Sequence, residues 1–118
     1  MRQVTIGLIQ LENRLGDKEY NLALAQRKVR EVAAKGAKIV CLPELFVTGY
    51  NLDVFGDGLY DLAEGLSGPT ILALRGLAKE LGVYIIAPLA LQVYTTRPLN
   101  NAAVLIDDRG QVQGCLLY

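Results

Sequence analysis

One carboxylate occupies the position where an open α/β sheet places its chemistry. Ile39-Val40-Cys41-Leu42 is a short apolar run that reads as a buried strand. Pro43 has no N–H and cannot continue as an ordinary central-strand residue. The strand therefore stops, and the next side chain is Glu44. In open α/β sheets, ligands bind in the crevice beyond the carboxyl ends of the strands. An acid there, with Leu45, Phe46 and Val47 beside it, is expected to be partly desolvated, which suits it to take protons near neutral pH. The plainer alternative is a surface-loop glutamate beside a core strand. Tyr50 follows Thr48-Gly49 and is expected close to Glu44, where it could pack a substrate or cap the core.

Other chemistries are excluded by what is absent. The chain has no histidine and a single serine, Ser67. A Ser-His-Asp triad, a Cys-His pair and a His-ligated zinc site cannot be built from these residues. Nucleophilic chemistry is left to cysteine, threonine or lysine, or to residues outside this chain. Cys41 and Cys115 have neither CxxC nor metal-ligand spacing. Cys41 lies within the strand, so a buried, unactivated thiol is expected. Cys115 is expected to pack in the core or at a sheet edge. Asp53 to Glu64 partly fits a calcium loop, but Phe55 occupies a ligand position and no helix can precede it, so calcium is not expected. Gly56 and Gly58 lack the spacing and the Lys-Ser/Thr pair of a phosphate loop. Asp107-Asp108 reads as a turn. No metal and no cofactor is expected.

The elements that must position Glu44 follow from periodicity. Val4 to Leu11 is β-rich and apolar on both faces, the pattern of an interior strand over about 3–11. Asp17 is a candidate N-cap for a helix over 18–34, with Leu22, Ala25, Val29, Val32 and Ala33 inward and Gly36 ending it. The Glu44 strand, about 38–43, completes a βαβ unit with parallel strands. Leu59 to Ala63 is expected to form a turn or two of helix within an irregular, acidic stretch. A second long helix is predicted over 69–81, with Pro69 in its first turn and Gly82 closing it. Strands follow at 83–91, 101–107 and 111–118, the last two as a hairpin, with Pro88 implying a bulge or an early end.

The 118 residues suffice for one domain. Hydrophobic residues make up 52% and mean hydropathy is +0.28, so some apolar surface is expected to be covered by a second half or a partner, the plainer alternative being a helix-sheet protein simply rich in Ala and Leu. No apolar run approaches the roughly 18 residues of a membrane span. Twelve basic and twelve acidic residues cancel, without a basic stripe, so neither nucleic acid nor membrane is an expected partner. The N-terminus shows no signal-peptide pattern, and the sparse cysteines suit a reducing cytoplasm.

Leu42-Pro43-Glu44-Leu45-Phe46-Val47-Thr48-Gly49-Tyr50 resembles the nitrilase superfamily of carbon–nitrogen hydrolases. The flanks agree: Val4 to Gln10 with Gly16-Asp17 and Asn21, Lys35-Gly36-Ala37, Leu77-Ala78-Lys79-Glu80, and Asn101 to Asp107 with Gly110. The resemblance implies an α/β fold, half of an αββα sandwich, whose mixed sheet carries two main helices on one face. It implies a Glu-Lys-Cys triad in which Glu44 matches the general base. The lysine and the nucleophilic cysteine of that pattern would fall after Tyr118. Residues 1–118 would then be the N-terminal part of one domain, inactive alone, from a homo-oligomeric enzyme acting on a small amide or nitrile. Two alternatives stand beside it: a non-catalytic half-domain that binds or assembles through an uncovered sheet, and a complete doubly wound binding domain. The terminal hairpin counts against the last of these.

Overall fold

A computed structural model describes residues 2–50, 58–92 and 99–117. The elements are β1 (Ile6–Leu8), α1 (Lys18–Ala34), β2 (Ile39–Cys41), α2 (Leu59–Leu62), α3 (Pro69–Leu81), β3 (Tyr84–Leu91), β4 (Asn100–Ile106) and β5 (Val112–Leu117). They form a five-stranded sheet in the order β1-β2-β3-β4-β5. The first three strands are parallel, and the β3/β4 and β4/β5 pairs are antiparallel. This is the mixed sheet expected of a βαβ start followed by a hairpin.

Local chemistry explains both long helices. The Asp17 side chain accepts from the Tyr20 N–H at 3.1 Å and satisfies a donor that the first turn of α1 leaves open. Gly82 closes α3 at φ +65°, a left-handed conformation that costs glycine little. The inward stripe of α1 is Asn21, Leu24, Ala25 and Val29, with Leu22, Val32 and Ala33 only partly buried. In α3, Ile71, Leu74, Leu77 and Ala78 are buried. Both helices pack on one sheet face, against Val40, Ile85, Ala87, Leu89, Ala102, Val104 and Ile106. Gly7 faces α1 on this side. A Cβ there would lie 2.9 Å from Val32 Cγ2, so the close approach of helix to strand needs glycine.

The opposite face is bare among the described residues. Leu8, Cys41, Ile86 and Leu105 stand side by side across four strands. Ile6, Leu8, Tyr84, Leu105 and Leu116 are all exposed there. The expectation of apolar surface awaiting a cover is met by this face. The expectation that the first strand is interior and long is corrected: β1 has three residues, borders the described sheet and is covered on one face only.

Pro88 brings neither a bulge nor an early end. Tyr84 and Ile86 use their N–H and C=O groups toward β2, so Pro88 would aim its N–H the same way, past the point where β2 stops. No ladder bond is lost, and β3 runs on to Leu91. The register shift instead falls between Leu105 and Ile106. No helix of the described residues is long and apolar enough to cross a membrane.

Candidate active site

The β2 strand ends as the sequence requires, and Glu44 begins a tight turn over residues 44–48. Leu42 N–H still donates to Ile86 C=O at 3.0 Å, and after Pro43 the chain leaves the sheet. Leu45 takes φ +48°, a left-handed conformation rare and costly for a branched side chain. That twist directs Leu45, Phe46 and Val47 into the core, where they are 3%, 0% and 1% exposed. Glu44 is left on the outer side of the turn, and it is exposed. The partial desolvation expected from its three apolar neighbours is therefore corrected, because those neighbours turn away from it.

The turn itself is pinned by the loop between β1 and α1. Asn13 donates to Phe46 C=O at 3.2 Å, Asn21 to Val47 C=O at 2.6 Å, and the Gly16 N–H to Thr48 C=O at 2.8 Å. Three successive carbonyls thus receive donors from this loop and the helix start that follows it, and Gly49 N–H closes back on Leu45 C=O at 2.8 Å. Gly49 sits at φ +87°, and a Cβ on it would meet Leu15 Cδ2 at 2.8 Å. Loop, turn and helix start therefore form one rigid block beneath Glu44.

The carboxylate is directed along the open sheet face. Asn101 Nδ2 on β4 donates to Glu44 Oε1 at 2.5 Å. Glu44, Pro88, Asn101, Ala102 and Ala103 line a cavity of about 470 Å³. The small Ala103 side chain on β4 leaves room beside the acid. A larger depression of about 610 Å³ lies on the β1–α1 loop and α1 and shares no lining residue with this one. Tyr50 is 62% exposed, does not line the Glu44 cavity and does not cap the core.

Glu64, outside the lining of the Glu44 cavity, is a buried acid whose partners sequence reasoning does not foresee. It is buried, 2.8 Å from Lys18 Nζ, and it accepts from the Thr70 N–H at 2.8 Å and from Thr70 Oγ1 at 2.6 Å. Burial works to raise its pKa, but the bonds from Lys18 and Thr70 outweigh that and hold it below its ordinary value. Residues 53–57 of the calcium-loop pattern lie outside the described residues, and its last position, Glu64, is committed to Lys18 and Thr70. The one signal in the chain is its place six residues before Thr70 and just ahead of a helix start. Cys41 is half-buried rather than core, and Cys115 is exposed on β5. Asp107 forms the expected turn: the Gln111 N–H chiefly, then Gln113 and the Arg109 N–H, hold its carboxyl below the usual range against the effect of burial.

Comparison with known proteins now adds to this geometry. The carbon–nitrogen hydrolase family model matches residues 5–115. A nitrilase from Pyrococcus abyssi is 32% identical over 108 residues, covering 91% of this chain and 40% of that protein. An N-carbamoylputrescine amidase from Solanum lycopersicum is 34% identical over 110 residues, covering 92% of this chain and 36% of that one. The chain thus spans well under half the length of these relatives. A carbon–nitrogen hydrolase structure from Helicobacter pylori superposes with a TM-score of 0.84 at 20% identity, over 97% of this chain and 39% of that one. An amidase structure from Nesterenkonia sp. gives 0.76 at 23% identity, over 97% of this chain and 42% of that one. The shared sheet with its two helices is the nitrilase fold, in part. The turn that carries Glu44 lies inside the matched span, and the chain belongs to the carbon–nitrogen hydrolase family.

Proposed function

We propose that these residues are the N-terminal, base-bearing part of a single hydrolase domain that cleaves a non-peptide C–N bond in a small amide or nitrile. One observation carries the reading: Glu44 stands at the end of β2, on a pinned turn, with its carboxylate over a cavity on the open sheet face. The names of the relatives support it, since they are nitrilases and amidases. So does their length, which leaves room for further catalytic residues.

In this mechanism Glu44 takes the proton of a cysteine thiol, and the thiolate attacks the amide or nitrile carbon. A lysine stabilises the negative charge of the tetrahedral intermediate. For an amide, ammonia or an amine then leaves with a proton returned by Glu44, giving a thioester. Glu44 next draws a proton from water, and the thioester is hydrolysed to the acid. The family pattern puts both the cysteine and the lysine outside residues 1–118, and in keeping with this neither Cys41, half-buried in β2, nor Cys115, exposed on β5, lines the Glu44 cavity. The 118 residues alone are therefore inactive. Tyr50, exposed near the end of the turn, contributes to the substrate-facing wall once the rest of the domain is in place. The enzyme works as a homo-oligomer and needs no cofactor.

The test is Glu44→Gln in the full-length protein, assayed on small linear amides. A loss of roughly a hundredfold or more in kcat is expected for a positioned base. An unchanged rate overturns the assignment. A second reading, an assembly module without catalysis, is favoured by the bare apolar face of Ile6, Leu8, Leu105 and Leu116. Amide hydrolysis by the full-length protein decides against it.

A further inference from the structure

We propose that Asn101 is the positioning residue for the Glu44 carboxylate, a role that rests on the base assignment above. The backbone beneath Glu44 is rigid, but an exposed glutamate side chain is free to sample several rotamers. A base that wanders loses rate, because proton transfer needs its oxygen within hydrogen-bond reach. The side-chain bond found for Glu44 among the described residues is the one from Asn101 Nδ2 to Oε1.

Asn101 is well suited to the task. It lies within β4, where it pairs with Ala90 across a seven-residue antiparallel ladder. Its own position is thus fixed by the sheet and not by a loop. The turn and the β4 residue come from points 57 residues apart, so the bond joins the two walls of the cavity. An amide is a neutral donor. A lysine or arginine in its place would favour the ionised carboxylate and weaken it as a proton acceptor. Because Asn101 engages Oε1, the lone pairs of Oε2 stay open to accept the thiol proton. Ala103, two residues on and so on the same sheet face, is small and leaves space beside that oxygen.

The test is a double-mutant cycle in the full-length protein, read as kcat and KM for a small linear amide. Asn101→Ala is expected to lower kcat roughly ten- to a hundredfold with KM within about twofold. Added to Glu44→Gln, it is expected to change kcat by less than about twofold, because the group it orients is gone. Asn101→Asp keeps the shape but exchanges the donor for a second carboxylate, and it provides a variant that folds should the alanine form fail. It is expected to be at least as slow. Losses that multiply in the double variant overturn the positioning role while leaving the base assignment intact, as does wild-type kcat in either single variant of Asn101. An unchanged rate in Glu44→Gln alone overturns the base assignment, and this proposal with it.

Discussion

Asn21 Nδ2 and the Val47 carbonyl oxygen are 2.6 Å apart, which fastens the first turn of α1 to the turn that carries Glu44. The same amide donates to Arg14 C=O at 2.7 Å, and Asn21 Oδ1 accepts from the Arg14 N–H at 2.7 Å. Asn21 is 0% exposed, so water cannot replace these partners. Asn21→Ala is expected to destabilise the fold by roughly 3 kcal/mol, since it leaves the Arg14 N–H and the Val47 C=O unpaired and leaves Arg14 C=O only the Asp17 N–H. Asn21→Asp is expected to be no better at neutral pH, because it turns a carboxylate toward two carbonyls. Urea unfolding midpoints decide this, and a wild-type midpoint in either variant removes the pinning role.

Glu64 offers a pH-dependent test. Its carboxyl is held below its ordinary value of 4.5 in the folded state, against the effect of burial, by Lys18 and Thr70. A depressed folded-state pKa means that ionised Glu64 stabilises the fold above the unfolded value, and that this contribution fades as the pH falls through the folded value. Glu64→Gln is therefore expected to cost roughly 1–3 kcal/mol at pH 7, as the loss of charge-assisted bonds does. The two proteins are expected to converge as the pH is taken below 4.5. A gap independent of pH would mean that the loss is one of shape and not of charge.

The exposed ion pair of Arg30 with Glu80 provides the contrast. It joins α1 to α3 at the surface, where solvent screens both charges. Glu80→Ala is expected to leave the thermal midpoint unchanged within error, and a clear drop would show that this pair is more than a surface contact.

Gly49 is expected to resist substitution. At φ +87°, and with Leu15 Cδ2 2.8 Å from where a Cβ would lie, alanine meets both backbone strain and a clash. Gly49→Ala is expected to cost about 1–2 kcal/mol. Calorimetry reads the loss, and a neutral result would mean that the turn adjusts without cost.

The bare sheet face predicts behaviour in solution. Leu8 is 79% exposed and Leu116 is 55% exposed on the side away from the helices. Expressed as these 118 residues, the protein is expected to self-associate in a concentration-dependent way. Leu8→Glu with Leu116→Glu is expected to reduce that association in sedimentation runs, and to shift stability by no more than about 0.5 kcal/mol. Association that persists in the double variant would assign it to another surface.

The two long helices are legible in the chain, to the residue, because each is settled by neighbours in sequence. Asp17 caps within three residues, Gly82 closes within four, and the apolar stripes repeat every turn. The parallel start, the closing hairpin and the stop at Pro43 before Glu44 are equally local. Everything that depends on what comes near in space was decided by the tertiary structure. A run apolar on both sides reads the same whether a second layer is present or not, so β1 reads as interior and is found with one face bare. Glu44 is expected among apolar neighbours, but the left-handed Leu45 sends those neighbours inward and leaves the acid to Asn101, 57 positions away. Asn21 is in register with the inward stripe of α1, but neither it nor Glu64 reveals its partners in the chain, because a buried polar side chain is defined by groups brought together only when helix, turn and sheet have packed.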